Sequence, residues 1–221
     1  MTGAADAGRE AVLQRIRTAL GRDPGADPNA ASPNAGGTAY RTEGSRDRDQ
    51  LLDLLAERLT DYHAAVRRCA PADLAATVAS ALNDRQARRV VVPPGLDSVL
   101  AAALPPGVEA VADDGLSPED LDAADGVITG AAIAIAETGT VVLDGSPGQG
   151  RRALTLVPDY HLCIVRAYQV VELVPEAVAR LSSSASRPLT WISGPSATSD
   201  IELSRVEGVH GPRNLEVVLV G

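Results

Sequence analysis

The stretch "GVITGAAIAIAETGTVVLD", Gly126 to Asp144, is where the sequence changes its manner of building. "GVITG" reads as the last short strand of a region that alternates helix with β-branched strand. "TVVLD" opens a region whose strands follow one another through short turns. Between them Glu137 stands among small apolar residues, directly before Thr138-Gly139-Thr140. A lone acid in that setting asks for an explanation, because a chain this soluble has ample surface for its acids.

Upstream, Ser45 or Asp47 is placed to cap a helix whose Leu51, Leu52, Leu55 and Leu59 form one apolar stripe. "AAVRRC" follows as a strand. Pro71 at a first helical turn introduces Leu74, Val78 and Leu82 at helical spacing. "RRVVVP" is a short buried strand, Asp97 to Leu104 a short helix, "VEAVAD" a strand and "SPEDLDAAD" a capped helical turn. Such alternation argues an α/β layer around a largely parallel sheet. Downstream, "TVVLD", "ALTLVP", "LCIVRA" and "QVVELV" are expected as strands in antiparallel or mixed pairing. "PEAVARL" is a helix, "PLTWIS" a strand and "NLEVVLV" the final strand.

The chain divides into residues 1–44 and 45–221. Arg9 to Leu20 is a short amphipathic helix with Val12, Leu13, Ile16 and Leu20 on one face. The "GRDPGADPNAASPNAGGT" that follows is too poor in apolar residues to order itself. From residue 45 onward the α/β body begins.

Composition narrows the function classes. The 221 residues are 45% hydrophobic but only 2% aromatic, with no Phe, so the core is built from Val, Leu, Ile and Ala. Every basic residue is Arg, which suggests a coding bias more than a function. A net charge of −9, with Arg pairs that stay isolated, argues against a nucleic-acid binder. No basic region followed by an apolar run opens the chain, and no stretch approaches ~20 uncharged apolar residues, so neither a signal peptide nor a membrane span is expected and the cytoplasm is the default. Cys69 and Cys163 lie far apart, outside any Cys-x-x-Cys pair. With His63, His161 and His210 scattered, no ligand set for zinc or an iron–sulfur centre is present.

Three segments gather polar, Gly and Pro residues at strand ends, where α/β proteins place ligand crevices. They are Glu137-Thr138-Gly139-Thr140, "GPSATSDIE" from Gly194 to Glu202, and "GVHGPR" from Gly208 to Arg213. In the second, Asp200 and Glu202 are also readable as solvated acids on a short helix capped by Ser196 or Thr198. The "GSPGQG" loop, Gly145 to Gly150, lacks the order of a phosphate-binding fingerprint and reads as a surface hairpin, with Arg151 at its exit placed to meet an anion.

Taken together with "RIRTALGR", "DGVITGA" and "GRRALTLVPDYHLCIV", the three segments resemble the lactate-utilisation protein C family, the LutC/YkgG group with its LUD domain. The resemblance covers nearly the whole chain after the linker. It implies an α/β sheet of Rossmann-like winding, similar to the sugar-isomerase and CoA-transferase superfamily. In CoA transferases of that superfamily a Glu near a Gly-containing turn is the nucleophile, and Glu137 is its positional analogue. The resemblance also implies a role in oxidising L-lactate to pyruvate beside two iron–sulfur partner proteins, with no cofactor in this chain. The family's second motif usually reads Gly-Pro-Ser-x-Thr-Ala-Asp-Ile-Glu, often with a basic x. Here Ala197 stands at x and Ser199 replaces the Ala, which weakens that turn as a carboxylate binder.

On this reading Glu137, Asp200 and His210 are the candidate catalytic groups, clustered so that at least one carboxylate is raised toward a general base. Thr138, Gly139, Thr140, Gly194, Ser196, Thr198, Glu202 and Gly211 line the site, and Arg151 or Arg213 pairs with a small carboxylate substrate. The alternatives are a stand-alone CoA-transferase-like or folate cyclo-ligase-like enzyme using Glu137, and a non-catalytic assembly module. The scattered ligand types make one prediction immediate: elemental analysis of the purified chain is expected to find no stoichiometric iron or zinc. One tightly bound equivalent of either overturns it.

Overall fold

The computed structural model describes residues 3–19, 40–96, 104–184, 186–199, 205–207 and 211–221. It divides into two compact units, Met1–Tyr40 and Arg41–Gly221. In the first, helix α1 (Gly3–Ala19) carries an ion pair between Arg17 and Glu10 at 3.1 Å. The second contains α2 (Arg48–Asp61), β1 (Ala65–Cys69), α3 (Leu74–Asp84), β2 (Arg89–Val92) and β3 (Glu109–Ala112). The chain continues through α4 (Pro118–Asp122), β4 (Gly126–Gly130), β5 (Ile133–Ile135), β6 (Thr140–Leu143), β7 (Tyr160–Arg166) and β8 (Val170–Val171). It ends with α5 (Val174–Arg180), β9 (Thr190–Ile192), β10 (Ser196–Ser199), β11 (Arg205–Glu207) and β12 (Asn214–Val220).

The central sheet is six-stranded, in the order β1-β12-β7-β4-β2-β3, and every pairing in it is parallel. Its middle strands are buried on both faces, as parallel strands between helical layers must be. The period of two sorts their side chains. Cys163, Val165, Val217 and Leu219 point to the face covered by α2, where Leu52, Leu55 and Leu59 meet them. Leu162, Ile164, Val218 and Val220 point to the other face, where Leu74, Val78 and Leu82 of α3 close over them.

Local signals explain the helix ends. Asp47 caps α2 and forms a capping box with Gln50, and Ser117 does the same for α4 with Asp120. Each side-chain oxygen satisfies an amide that the first turn leaves without a partner.

A second, four-stranded sheet in the order β8-β5-β6-β9 lies beyond α2. Its β5/β6 and β6/β9 pairs are antiparallel and its β5/β8 pair is parallel. Ala134, Ala136 and Val141 join the α2 core, while Ile133, Ile135 and Val142 pack under Ala177 and Leu181 beside α5. The expected change in pairing after Gly126–Gly130 is therefore real, yet "LCIVRA" and "NLEVVLV" return to the parallel sheet.

Four local expectations are corrected. "ALTLVP" holds a 3-10 helix, Arg152–Thr155, with Leu154 drawn into the cluster of Val91, Leu121 and Val127. "QVVELV" keeps only Val170–Val171 as strand, since Pro175 starts α5 one turn later. Ser196 and Thr198 sit in β10, which pairs antiparallel with β11, and cap no helix. The "GSPGQG" loop is not a surface hairpin but packs against the sheet, as described below. The helix expected over Asp97 to Leu104 lies almost wholly outside the described residues.

Two buried polar residues, His161 and Thr129, interrupt the α2-facing side of the sheet. His161 on β7 is fully buried, its Nε2 lies 2.7 Å from Thr129 Oγ1, and its Nδ1 has no partner among the described residues. Burial, aided by the charge of Arg152, pushes its pKa down to about 4. A neutral ring in the fold against an ordinary one in the unfolded chain gives a definite sign. The stability that depends on it is complete above the unfolded value of about 6.5 and is lost as pH falls toward 4, by roughly 3 kcal/mol. Urea unfolding of the native protein should show this one-proton slope between pH 6.5 and 4, and His161→Gln should remove it. An unchanged slope in the variant refutes the assignment.

Candidate functional site

Strand order fixes where a ligand crevice belongs. From β2 the chain moves outward to β3, while from its neighbour β4 it moves the other way toward β7. Connections that leave adjacent parallel strands in opposite directions open a gap beyond their carboxyl ends. Here the gap is occupied by the Asp144–Gly150 loop. Gly148 donates its N–H to Pro94 O at 2.8 Å, just after β2, and its carbonyl accepts the Gly130 N–H at 2.8 Å, at the end of β4.

This close approach requires glycine. Gly95 and Gly148 adopt φ of +83° and +84°, and a Cβ on Gly95 would lie 2.5 Å from the Cβ of Pro147. The loop's polar groups are largely turned on itself. Gln149 Oε1 accepts from Asp144 N at 2.6 Å, and Asp144 accepts from Ser146 N at 3.0 Å and Ser184 Oγ at 2.7 Å. Arg187 completes the set 2.8 Å from Asp144. Burial works against the Asp144 charge, but the Ser146, Ser184 and Arg187 contacts outweigh it and hold the carboxyl below its ordinary range.

Beside the loop lies a cleft of about 670 Å³, bounded by Pro94 and Gly95 after β2, Asp113 after β3, and Pro188 and Thr190 at β9. Arg151 stands in its wall. Its Nε and Nη2 form a fork onto Asp113, both at 2.9 Å, and Nη2 also donates to Leu116 O at 2.6 Å. That fork holds the Asp113 carboxyl well below its usual range. Arg152, also in the wall, donates to the carbonyl and hydroxyl of Thr155 at 2.9 and 3.0 Å. Two smaller hollows of about 290 and 440 Å³ flank the loop, and exposed Tyr168 lines both. Asp113, Asp144 and Pro94 carry no motif of their own. Only their positions after β3, β6 and β2 reveal them.

The residues singled out from sequence are spread more widely. Glu137 sits at the β5–β6 turn, at the far end of β6 from the cleft residue Leu143, roughly 10 Å along the strand. Its side chain is 47% exposed and its carboxylate meets Arg41 at 2.6 Å. Thr138 and Thr140 hydroxyls lie 2.7 Å apart, and Thr140 meets Ser193 at 2.8 Å, which brings the first segment beside the start of the second. Gly139 and Gly194 pack against the backbone of Arg58 and Tyr62 at the end of α2, a role in packing. Gly211 faces Thr155 O. Arg213 pairs with Asp159 at 3.1 Å before β7 and β12, at the opposite edge of the sheet from Arg151. Asp200, Glu202 and His210 lie outside the described residues, as do the side chains of Ser196 and Thr198.

The acid that sequence reasoning missed is Glu172. Its carboxylate is buried at 2% exposure, accepts the N–H groups of Ser45 and Arg46 at 2.8 and 2.9 Å, and pairs with Arg46 at 2.6 Å. Those backbone bonds first, and the Arg46 and Arg41 charges after them, hold it below its ordinary range. Its contribution is present above an unfolded glutamate's pKa of ~4.3 and is lost as pH falls through the lower folded value. Arg41 bridges Glu172 and Glu137, so one strap fastens both. Urea titrations at neutral pH should separate them. Glu172→Ala is expected to lose about 3–5 kcal/mol, as a broken buried pair does. Glu137→Gln is expected to lose under ~1 kcal/mol, as an exposed pair does. Equal losses count against this assignment of roles.

With the geometry in hand, comparison with known proteins places the chain. A family model described as LUD domain matches residues 52–220. The chain is 45% identical over 215 residues to lactate utilization protein C of Deinococcus radiodurans, covering 96% of each. It is 28% identical to lactate utilization protein C of Bacillus subtilis, covering 96% of this chain and 95% of that one. The crystal structure of a DUF162 family protein from Deinococcus radiodurans superposes with a TM-score of 0.70 at 43% identity, over 80% of this chain and all of the other. The match spans α2 to β12, the whole of the sheet and the loop that fills its gap: the chain belongs to the LUD-domain family.

Proposed function

We propose that this chain is a subunit of an L-lactate-oxidising system, carries no iron–sulfur cluster of its own, and works in the cytoplasm beside two iron–sulfur partner proteins. The observation that carries the reading is the end-to-end similarity to lactate utilization protein C, which includes the strands and loops that form the crevice. The chain's part is to offer a small-molecule crevice at the carboxyl edge of the parallel sheet, while the partners take up electrons. Likeness to the sugar-isomerase and CoA-transferase superfamily belongs to the same proposal and rests on the parallel winding.

Oxidation of lactate to pyruvate removes the hydroxyl proton and a hydride or its equivalent. The proton falls to one of the acids or the His of the three motif segments, Glu137, Asp200 or His210. Glu137 serves as that base only once Arg41 has swung away, because the guanidinium occupies its carboxylate. The same pair weighs against Glu137 as the nucleophile of an acyl transfer. Among the described residues no feature favours that second reading.

The test is genetic and biochemical. Deleting the gene in its own host should abolish growth on L-lactate as the carbon source, and a plasmid copy should restore it. Purification of the tagged chain from lactate-grown cells should bring down two cysteine-rich proteins. A deletion strain that oxidises lactate at the wild-type rate overturns the proposal.

A further inference from the structure

We propose that the cleft beside the Asp144–Gly150 loop binds a neutral, flat, ring-containing organic molecule of the quinone type, and that lactate is not its ligand. The inference rests on the crevice being a working site, and it goes further by naming the class of occupant. Three observations carry it.

The first is size. The cleft holds about 670 Å³. Lactate has the bulk of about four waters, on the order of 120 Å³, and would leave most of that space to solvent. Clefts of roughly 300–1,000 Å³ suit ligands of cofactor dimensions.

The second is the state of the polar groups. A carboxylate entering the cleft would look first to Arg151, but both prongs of that guanidinium are held by Asp113. Arg152 is engaged with Thr155, and Asp144 beside the cleft is itself an anion held by Arg187. An incoming anion would have to displace one carboxylate and lie near another. A neutral molecule with carbonyl acceptors meets no such opposition.

The third is the wall. Pro94, Pro147 and Pro188 line it with rigid rings that carry no N–H, and Leu143 adds an apolar side chain. Rigid apolar surfaces of this kind receive a flat ring system with little loss of freedom in the wall.

The experiment is isothermal titration calorimetry on the full chain. Dimethylnaphthoquinone serves as probe, since both free positions of its quinone ring are blocked against the chain's thiols, and L-lactate is titrated separately. One site for the quinone and no saturable heat with lactate are expected. Thr190→Trp, which fills the cleft, should weaken quinone binding at least ~10-fold. Pro188→Trp, at the exposed rim, should do the same and guards against a folding defect in the first variant, with circular dichroism checking both. Three results overturn the inference: no quinone site, quinone binding indifferent to both tryptophan variants, or saturable lactate binding. Growth of the deletion strain on lactate judges the wider function independently, so either idea can fall alone.

Discussion

Two hydrogen bonds of one residue hold the carboxyl edge of the parallel sheet together: Gly148 N–H to Pro94 and Gly130 N–H to the Gly148 carbonyl. A parallel sheet whose connections diverge between β2 and β4 must leave a gap there. Unpaired strand-end amides and carbonyls in that gap would go unsatisfied or bind water. The Asp144–Gly150 loop satisfies them with its own backbone and gains a fixed position in return. Everything at the carboxyl edge is then set by that loop. Asp144 reaches Ser184 and Arg187, Arg151 reaches Asp113, and the three hollows take their walls from Pro147 and its neighbours. A side chain at residue 148 would meet the Gly95 carbonyl at 3.1 Å, in a φ range that other residues seldom adopt. The demand for glycine here comes from the sheet and not from a phosphate.

The same logic explains what the sequence revealed and what it hid. Leucine stripes at helical spacing and Val-rich runs of four to seven residues report burial directly, and α2, α3, β2, β7 and β12 were legible for that reason. "ALTLVP" has strand-like composition, yet its fate depended on whether an edge was free to pair, which no local pattern records. "QVVELV" was cut short by Pro175, whose ring suits a first helical turn. The glycine loop misled because Gly, Pro and Ser together signal a turn, and a turn is normally at the surface. Only the strand order reveals that this one faces the sheet.

The candidate site was legible in part. The first polar segment was picked out correctly as a strand-end turn, and Thr140 there meets Ser193 just before the second. Glu137 drew notice because a charge among alanines stands out. Glu172 did not, sitting in "VVELV" with every mark of an ordinary strand acid, though it is the one buried among backbone donors. The difference lies in partners contributed by distant sequence. Ser45 and Arg46 are more than a hundred residues away, and no spacing rule connects them to residue 172. Burial of a carboxylate is tolerable only when several donors replace water, so the strap and the acid make sense only as a pair.

That pairing gives the aliphatic composition a physical consequence. A core of Val, Leu, Ile and Ala packs tightly but supplies few polar anchors, so the positions of loops depend on a small number of charged clusters. Glu172 fixes the strap before α2, Asp144 fixes the loop after β6, and Asp113 fixes Arg151. Each cluster is neutralised internally by an Arg, whose planar fork suits carboxylates better than a Lys ammonium. Charges consumed in holding the edge of the sheet are not on offer to a ligand. What remains at the crevice is shape and an apolar wall of proline and leucine, and for that reason its chemistry favours a flat neutral molecule over a small acid.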